Sequence, residues 1–567
     1  MSNDLTIPIE DRWIYALLGD YYWVGETEPG VTGVTFSFPD VGSVWSGTDA
    51  NYGPGGSQEP VNGFTPLGDT ERDAVRAALR LFEHVAAVRF VEVSDDGAGA
   101  GSMRFAWTTY DTPEQSRTYP VGPGEKAGDV WLNKRAPWDG YVPGAYGWST
   151  LLHEIGHAVG LKHPDEGADT LRPSEDAYGV SVMSYTAYAG APGSWVDFEP
   201  TTPMLYDVLA LQWMYGANME HRPGDDTYVY VEGQRYFETL WDAGGTDTIV
   251  WQAATQGARI DLNAGAFSTL GAPLTFWSED FASSWTDPDT VTIAFGTWIE
   301  RATGGGGDDR LNGNQLDNVL TGLAGADVLV GGGGNDRLDG GQGTDVAVFA
   351  GPVGRYALAI DRGARAATIT DTTSAASAGH EGTDTLLQVE QAWFGGQTFA
   401  LFNPARTVAP QYAQSRAFLF DPAFYLLSNP SLAGSVDLTT AADHYLSAGA
   451  AQGLDPNAWF DPAYYANRWG DLKGLNLDTA TLFLHYNLYG VWEGRSAGPR
   501  FDRYDGQRYL TDNPDVAAYV DGHLPDFLGS RTNGAIAHYV IYGADEGRVA
   551  YDVSGQLIPS TVLIGVG

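Results

Sequence analysis

The residues with the clearest chemical meaning lie in the run His153–His163, which reads H-E-x-x-H-x-x-G-x-x-H. The surrounding segment, Trp148–Val159, has the apolar spacing of a helix and no internal helix breaker. His153 and His157 are four residues apart in the sequence, so a helix places both imidazoles on one face. Two imidazoles placed in this way can bind one Zn²⁺.

A third ligand and a proton acceptor follow from the same run. Gly160 can end the helix in the left-handed conformation and Pro164 prevents it from resuming, so the chain can return and bring His163 to the metal. Glu154 is not needed as a ligand. It is placed to take a proton from a zinc-bound water and to pass it to a leaving amine. This is the apparatus for hydrolysing a peptide bond, and the alternative is a chance H-E-x-x-H in an ordinary helix.

Composition and charge restrict the function further. The chain has 567 residues, enough for several domains, and no cysteine, which excludes disulfides and thiol chemistry. The 72 acidic and 31 basic residues give a formal net charge of −41, which repels nucleic acid and anionic membranes and favours divalent cations. The N-terminal residues lack the basic and apolar regions of a secretory signal peptide, and no segment approaches the ~20 apolar residues of a membrane helix.

Residues 304–348 contain an internal repeat of nine residues that matches G-G-x-G-x-D-x-U-x. Its glycines let backbone carbonyls approach an ion, and its aspartates supply oxygen ligands of the kind that suit Ca²⁺. The predicted calcium ligands in these units are Gly305, Gly307, Asp309, Gly325, Asp327, Gly332, Gly334, Asp336, Gly341, Gly343 and Asp345. In the second unit Leu316 replaces a glycine and Asn318 replaces the aspartate, which weakens the case for an ion there.

Stacked nine-residue units predict a parallel β-roll, with one apolar residue of each unit pointing inward. The five inward residues are Leu311, Leu320, Leu329, Leu338 and Ala347. A flexible Gly/Asp linker is the alternative, and five contiguous units in phase argue against it.

The histidine run, together with Ser181–Tyr185 after it, resembles the metzincin metallopeptidases, and within them the serralysin group of secreted bacterial proteases. The resemblance implies that Met183 forms an apolar floor beneath the metal. It also implies that Tyr185 is an additional zinc ligand that swings off the metal to stabilise the oxyanion, although the residues alone place it only near the site. The resemblance further implies a substrate-pairing edge strand, containing Gly128, Asp129, Val130 and Trp131.

The nine-residue units resemble RTX repeats, which usually belong to proteins that leave Gram-negative cells through a type I secretion channel. This implies a secreted protein, extracellular or associated with the cell surface, and the apolar tail Ser560–Gly567 is compatible with a C-terminal export signal. Upstream residues resemble the first calcium sites of the serralysin group, although Asp226 and Trp298 stand where threonine is usual. These candidate ligands are Arg222, Gly224, Asp226, Asp242, Gly244, Gly245, Asp247 and Glu300.

The remainder of the chain is predicted to form two further modules. Residues 349–400 have the pattern of short strands and are expected to cover the open end of the roll. Residues 418–552 contain three longer repeats, which begin with Phe-Asp at residues 420, 460 and 501 and later hold a His-Tyr pair. Each repeat is predicted to form two short helices, with its histidine a packing and hydrogen-bonding residue in preference to a metal ligand. The repeats resemble those of bacterial surface proteins and could serve attachment or act as a spacer.

These observations predict an α+β metzincin catalytic domain, a parallel β-roll (RTX) domain with a β-rich cap, and a helical C-terminal repeat module. The predicted bounds are 1–220 for the zinc peptidase domain (1–22 as a short pro-segment), 221–348 for the calcium-binding roll, 349–410 for the cap, and 411–567 for the repeats and export signal. The predicted function is a secreted, calcium-dependent zinc endopeptidase with one catalytic Zn²⁺ and several structural Ca²⁺. Its expected partners are protein or peptide substrates, the type I secretion machinery and a cell-surface component, with no nucleic acid. The alternative is a surface-associated adhesion or scaffold protein with narrow processing activity on surface-layer or adhesin proteins.

Overall fold

The computed structural model describes residues 10–48, 52–53, 57–95, 99–111, 116–136, 140–403 and 418–565. The chain divides into two compact units, Met1–Gly305 and Gly306–Gly567. Neither the predicted boundary at residue 220 nor that at 348 coincides with this division. The predicted boundary at 410, the first nine residues of the expected pro-segment and the last two of the expected export signal lie outside the described residues.

The described part of the first unit contains four α-helices and several small sheets. Its helices are α1 (Asp11–Tyr15), α2 (Asp69–Val85), α3 (Tyr146–Ala158) and α4 (Leu205–Tyr215). Its strands are β1 (Glu26–Glu28), β2 (Val31–Ser37), β3 (Val88–Glu92), β4 (Met103–Thr108), β5 (Arg117–Thr118), β6 (Val130–Asn133), β7 (Trp195–Val196), β8 (Thr227–Val231), β9 (Glu238–Leu240), β10 (Thr248–Gln252), β11 (Arg259–Asp261), β12 (Phe267–Ser268), β13 (Leu274–Trp277), β14 (Ser284–Asp287), β15 (Val291–Ile293) and β16 (Arg301–Thr303).

The largest sheet of this unit has the order β1-β2-β4-β6-β5, with β3 also paired to β2. Strands β2, β4 and β6 are parallel, and β5 runs antiparallel to β6. Alternate residues of β6 serve two cores: Val130 and Leu132 join the main core with α2, α3 and α4, whereas Trp131 joins an aromatic cluster with Tyr52. The sheet therefore carries the catalytic-motif helix α3 on one face and a separate aromatic layer on the other.

The N-terminal segment is part of the core of the first unit. Trp13 stacks on Tyr206 at a centroid distance of 5.0 Å and on Phe295 at 5.9 Å. Ala16 and Leu17 are fully buried. Removal of a pro-segment that extends to residue 22, as the sequence predicts, would expose the apolar surface against which these side chains pack.

The second unit begins with strands and continues with helices. Its strands are β17 (Arg310–Asn312), β18 (Val319–Ala324), β19 (Val328–Val330), β20 (Arg337–Gln342), β21 (Val346–Phe349), β22 (Tyr356–Asp361), β23 (Ala366–Asp371), β24 (Thr383–Leu387), β25 (Gln391–Phe394), β26 (Gln397–Ala400), β27 (Ala550–Tyr551), β28 (Leu557–Ile558) and β29 (Val562–Ile564). Its helices are α5 (Pro422–Ser428), α6 (Ala441–His444), α7 (Pro462–Arg468), α8 (Thr479–His485), α9 (Gly506–Asp512), α10 (Pro514–Gly522) and α11 (Arg531–His538).

The nine-residue repeats of this unit form what we call the repeat coil (residues 306–349), with two parallel ladders of short strands. One ladder contains β17, β19 and β21, and the other contains β18 and β20. The five residues expected to point inward (Leu311, Leu320, Leu329, Leu338 and Ala347) are all fully buried. The period of nine therefore gives one buried apolar side chain on each successive strand.

The segment after the repeat coil differs from the separate cap expected from the sequence. Strand β24 pairs in parallel with β20, and β25 pairs in parallel with β21, so both ladders of the coil continue. The antiparallel pair of β22 and β23 comes between them along the chain. The tail expected to act as an export signal contains β29, which pairs antiparallel with β22 through Leu358 and Ile564.

The C-terminal repeats contain short helices capped by aspartate. Asp421 and Asp461 accept hydrogen bonds from the backbone N–H three residues on, at the start of α5 and α7. In the third repeat the equivalent cap is Asp505, before α9, so this repeat starts structurally at Tyr504-Asp505 and not at Phe501-Asp502.

The histidines of these repeats hydrogen-bond to tyrosines, as the sequence predicts for packing residues. Nδ1 of His444, His485 and His538 lies 2.8, 3.0 and 3.0 Å from the hydroxyl of Tyr425, Tyr465 and Tyr509, respectively. Each histidine is followed by one π-helical turn that ends at a glycine: Tyr445–Gly449, Tyr486–Gly490 and Tyr539–Gly543. Within the described residues, no helix has the length and apolar character needed to cross a membrane.

Candidate metal centre and catalytic residues

Helix α3 and the turn after it position the predicted zinc ligands. The helix spans Tyr146–Ala158, close to the predicted bounds, and Gly160 follows in the left-handed region with φ 108°. The backbone N–H of Leu161 then donates to the carbonyl of Gly156 at 2.9 Å, which closes the turn. The chain reverses here, as the sequence predicts, and His163 lies beside the two helical histidines.

The three imidazoles converge through their Nε2 atoms. Nε2 of His163 lies 3.0 Å from Nε2 of His157 and 3.2 Å from Nε2 of His153. Among the described residues, one ring nitrogen from each of these three histidines lies within 4.8 Å of the others, close enough to share a metal ion.

The opposite nitrogen of each ring faces an oxygen. Nδ1 of His153 lies 2.8 Å from the carbonyl oxygen of Val182, and Nδ1 of His157 lies 2.9 Å from that of Leu161. Nδ1 of His163 lies 2.8 Å from a carboxylate oxygen of Glu166. An oxygen acceptor requires an N–H at Nδ1, so a ring in its neutral form presents Nε2 as a bare lone pair, the form in which imidazole binds a metal. Three lone pairs directed at one point need a cation, and three imidazoles suit Zn²⁺.

The surroundings keep two of the rings neutral. Burial holds the pKa of His153 well below its usual range, and the neighbouring His157 and His163 lower it further. Burial likewise lowers the pKa of His157 to about 4, with a further contribution from His163. Neutral imidazole is the form that binds a metal, so the site is ready for a cation at neutral pH.

The segment after the histidines supplies a buried methionine and an exposed tyrosine. Met183 is fully buried, and a Cβ on Gly156 of helix α3 would collide with its sulfur, so the methionine packs directly against the ligand helix. The Tyr185 hydroxyl lies 2.7 Å from Nε2 of His163, while 62% of the side chain remains exposed. Met183 therefore packs against the helix that carries His153 and His157, and the Tyr185 hydroxyl contacts His163.

Asp207 anchors this segment and was not identified from the sequence. Its carboxylate accepts hydrogen bonds from the Ser181 hydroxyl at 2.6 Å and from the backbone N–H groups of Val182 and Met204, each at 2.8 Å. Val182 in turn presents its carbonyl to His153. The acidic residue in the first turn of α4 was the available signal, because such residues commonly cap a helix.

Glu154 is the predicted general base. It is 5% exposed, and the Thr118 hydroxyl lies 2.6 Å from its Oε2. Burial raises the pKa of Glu154 to about 7, although the hydrogen bond from Thr118 and the charge of Arg117 both act to lower it. A carboxyl group that titrates near neutrality is suited to accept and return a proton.

The predicted substrate-pairing strand is not at the edge of the sheet. Strand β6 pairs with β4 on one side and with β5 on the other, and its Trp131 is fully buried. The preceding residues are also engaged: Gly128 donates to the carbonyl of Tyr119 at 2.7 Å, and the Asp129 carboxylate accepts from Tyr52 at 2.7 Å. The expectation for residues 128–131 is therefore wrong, because the edge of this sheet is β5.

The upstream calcium candidates come together in the first unit. One carboxylate oxygen from each of Asp226, Asp242 and Asp247 lies within 4.8 Å of the others. Asp247 also receives the backbone N–H of Asp226 at 2.7 Å and donates its own N–H to Glu300 at 2.8 Å. Two further predicted members lie close: Gly244 donates its N–H to Asp242 at 2.8 Å, and a Cβ on Gly245 would collide with the carbonyl of Gly224. Arg222 lies 4.0 Å from Asp226.

The aspartates of the repeat coil stack along it. The backbone N–H of Asp309 donates to Asp327 at 2.8 Å, and that of Asp327 donates to Asp345 at 2.9 Å. Among the described residues, no hydrogen-bond donor reaches Oδ2 of three buried coil aspartates, namely Asp327, Asp336 and Asp345. A buried carboxylate oxygen without a donor is stabilised by a proton or a cation, and oxygen ligands suit Ca²⁺, so the coil fits the predicted Ca²⁺ ligands.

The glycines of the coil explain how carbonyl oxygens come close to these carboxylates. A Cβ on Gly325 would collide with the carbonyl of Gly307, and a Cβ on Gly343 with that of Gly325. In the same turns, a Cβ on Gly341 would collide with the carbonyl of residue 323. In the alternate turns, Cβ atoms on Gly332 and Gly334 would collide with the carbonyls of residues 314 and 316. The nearest backbone oxygen to a Cβ on Gly305, at 3.1 Å, belongs to Ala253.

The second nine-residue unit departs from the others in structure as in sequence. Oδ1 of Asn318 accepts the backbone N–H of Asn314, four residues earlier in the same turn, at 2.7 Å. An amide in place of the carboxylate removes the negative charge that a cation would need. This agrees with the weaker case for an ion in that unit.

Comparisons with known proteins match two parts of these observations. A model of the RTX calcium-binding nonapeptide repeat matches residues 301–320 and 312–347. The metalloprotease AprA of Pseudomonas entomophila is 32% identical over 294 residues, which is 45% of this chain and 56% of that protein. The serralysin of Proteus mirabilis is 31% identical over 332 residues (51% and 60%), and serralysin C of Dickeya chrysanthemi is 36% identical over 278 residues (44% and 54%).

The chain thus spans little more than half the length of the curated relatives it matches. One chain therefore contains both the nine-residue coil and the histidine cluster with its neighbouring methionine and tyrosine. Over the matched region the chain is similar to the serralysin and AprA metalloproteases, and residues 301–347 match the RTX calcium-binding nonapeptide repeat.

Proposed function

We propose that the protein is a secreted, calcium-dependent zinc endopeptidase. The observation that carries the proposal is the convergence of three bare Nε2 lone pairs beside the buried carboxyl group of Glu154. The similarity to a metalloprotease and to a serralysin supports the same chemistry.

His153, His157 and His163 would hold the zinc ion, with Tyr185 as a further oxygen ligand. A bound zinc ion supplies Lewis acidity that lowers the pKa of water towards neutrality. Glu154 would accept a proton from the attacking water, and the Thr118 hydroxyl fixes the orientation of its carboxylate. Glu154 then delivers the proton to the leaving amine of the cleaved peptide.

The Tyr185 hydroxyl is the proposed donor to the oxyanion. Its exposed ring can turn away from His163, and a hydroxyl that reaches the oxyanion only in the transition state accelerates the chemical step more than binding. Substrate is proposed to bind as an extended strand along β5, because β5 is the sheet edge and its Thr118 contacts the catalytic carboxylate.

Calcium dependence and secretion form the second part of the proposal. Three buried coil aspartates with oxygens lacking donors support a coil that folds only when calcium neutralises them. A net charge of −41 would favour an unfolded chain at low calcium and a folded chain outside the cell. We therefore propose export through a type I channel before the coil folds.

The alternative, a surface-associated adhesion or scaffold protein with narrow processing activity, draws on the C-terminal repeats. These form their own apolar core, which includes Tyr425, Tyr465 and Tyr509. Inactive Glu154→Ala protein, added to washed producing cells with calcium, would sediment with the cells if the repeats attach it to a surface. Recovery of all the protein in the supernatant would leave the repeats as a spacer.

Zinc titration tests the proposed metal centre. Protein stripped with a chelator and kept in calcium should regain peptidase activity in proportion to added zinc, and activity should saturate at one ion per chain. His163→Ala should lose both zinc and activity, whereas the exposed His523→Ala should lose neither. Full activity of the stripped protein would contradict a zinc mechanism.

A further inference from the structure

The repeat coil continues beyond its contiguous nine-residue repeats. Within the coil, the residue after each aspartate, or after its equivalent, donates its backbone N–H to a carbonyl of the previous layer. Arg337 donates to the carbonyl of Asn318 at 2.9 Å, and Val346 donates to that of Asp327 at 2.8 Å. Thr385 donates to the carbonyl of Asp336 at 2.7 Å in the same manner. Residues 379–387 therefore occupy the next layer of the coil, after an insertion that contains β22 and β23.

The side-chain pattern of the coil continues in the same register. The N–H of Asn318 donates to Oδ1 of Asp336, eighteen residues on, at 2.7 Å. The N–H of Asp336 donates to Oδ1 of Asp384, forty-eight residues on, at 2.9 Å. Asp384 thus takes the place that an aspartate of a further nine-residue unit would take.

The glycine of the turn is also reproduced. Gly382 has a φ of 74°, and a Cβ there would collide with the carbonyl of Gly334. Gly334 itself has a φ of 107° and approaches the carbonyl of Leu316 in the layer before. The turn at Gly382 therefore brings the same backbone oxygen into the same narrow space, where a side chain would not fit.

The two carboxyl groups of this layer lack a protein cation. Asp336 and Asp384 are each 2% exposed, and no donor in the described part of the chain reaches Oδ2 of Asp336. Neither has a salt bridge to an arginine, lysine or histidine among the described residues. Two neighbouring carboxylates in a buried site repel each other unless a proton or a metal ion lies between them.

We propose that Asp336 and Asp384 share a Ca²⁺ ion, held between the turn at residues 331–336 and the turn at residues 379–384. Carbonyl oxygens of the glycine-rich turns complete the oxygen shell that Ca²⁺ prefers. The insertion that carries β22 and β23 thereby becomes fixed at both ends, by β21 before it and by this ion after it. Asp384 and its turn lie outside the matched nonapeptide repeats, and the site does not depend on the proposed peptidase activity.

The asymmetry of this ladder supports the assignment. The layer before Asp336 contains Asn318, whose amide oxygen is engaged by Asn314. The layer after it contains the carboxylate of Asp384. The interface between Asn318 and Asp336 has only one carboxylate and is poorly suited to an ion. The next interface on this ladder has two, from Asp336 and Asp384, and is the one proposed to hold calcium.

The number of bound calcium ions tests the proposal in the full chain. Protein equilibrated with Ca²⁺ and freed of excess by gel filtration is assayed for calcium per chain, for the parent and for Asp384→Asn. The amide keeps an oxygen for the N–H of Asp336 but removes the charge, so one calcium ion fewer is expected. The matched control is Asp339→Asn, a partly exposed carboxylate on strand β20 of the coil, which should keep the parental number.

An equal number of ions in Asp384→Asn and the parent would overturn the proposal, as would an equal loss in the control. If Asp384→Asn does not fold, the parent protein decides. A crystal structure grown with calcium should show an ion about 2.3–2.6 Å from carboxylate oxygens of both Asp336 and Asp384. Density for water alone at that position would overturn the assignment.

Discussion

The backbone N–H of Gly19 donates a hydrogen bond to the carbonyl oxygen of Gly160 at 2.8 Å. The N–H of Lys162 returns a bond to the carbonyl of Leu17 at 2.9 Å, so the N-terminal segment pairs with both sides of the turn after helix α3. That turn carries His163 to the other two histidines. The N-terminal segment is therefore part of the frame that positions the third proposed zinc ligand.

Gly19→Ala should weaken zinc binding. The added Cβ would lie 2.8 Å from the Gly160 oxygen, so the two segments must separate by several tenths of an ångström. We expect a loss of about 1–3 kcal/mol in the free energy of unfolding and a measurable fall in zinc affinity, as a competing chelator would report. Gly47→Ala is the control, because a Cβ at Gly47 meets no atom within 4 Å. Parental zinc affinity in Gly19→Ala would contradict this role.

Tyr185→Phe separates metal binding from oxyanion stabilisation. Three histidines remain to hold the metal, so the zinc content should stay near one ion per chain. The oxyanion loses one donor, so kcat should fall about 10²-fold with little change in KM. Steady-state kinetics on one peptide substrate measure both constants. An unchanged kcat would remove Tyr185 from the proposed mechanism.

Gly490 and Tyr465 should show strong energetic coupling. A Cβ on Gly490 would overlap the Tyr465 hydroxyl, which also bonds to His485 at 3.0 Å. Gly490→Ala should destabilise the protein by about 1–3 kcal/mol, and Tyr465→Phe by about 1 kcal/mol. The double variant should lose less than the sum, by about 1 kcal/mol, because the phenylalanine lacks the clashing oxygen. Urea unfolding of the four proteins gives this coupling energy, and strict additivity would argue against the clash.

Asp371 should stabilise the second unit above about pH 4. Its fully buried carboxylate accepts a 3.0 Å hydrogen bond from Arg355 Nε, and this bond, with others from Thr373 and Glu381, holds its pKa well below the usual range. Because the folded pKa lies below the unfolded value of about 3.9, the stabilisation is present above that value and is lost as the pH falls below it.

Asp371→Asn tests this pH dependence. At pH 7 with saturating calcium, the variant should lose about 3 kcal/mol of unfolding free energy, since Arg355 is left without its partner. The difference from the parent should shrink as the pH falls below about 4. Asp512→Asn, which removes an exposed pair with Arg508, should change stability by less than about 1 kcal/mol. A difference that grows on acidification would contradict the sign.

The parts of the site predicted from the sequence are those with a fixed local spacing. His153 and His157 meet because four residues make one helical turn, and the positive φ of Gly160 follows from its position after the helix. In the coil, the period of nine residues predicts the burial of Leu311 and its equivalents. In each case the spacing along the chain alone determines which side chains meet.

The parts that the sequence did not predict depend on contacts between distant segments. The pairing of Gly19 with Gly160 uses backbone atoms, which leave no mark in the pattern of side chains. The family resemblance implies that residues 128–131 form the sheet edge, and strand β5 has only two residues, too few for a sequence period to correct that expectation. The layer containing Asp384 was missed because the insertion before it separates it from the repeats that set the period.

Cleavage of unfolded casein, with calcium and zinc present, tests the central claim most directly when the parent is compared with Glu154→Ala. The parent should cleave casein, and the variant should retain its zinc but lose activity by several orders of magnitude, because it lacks the proposed general base. Equal activity in the two proteins, or no activity in a folded parent with zinc bound, would contradict the assignment of a general endopeptidase.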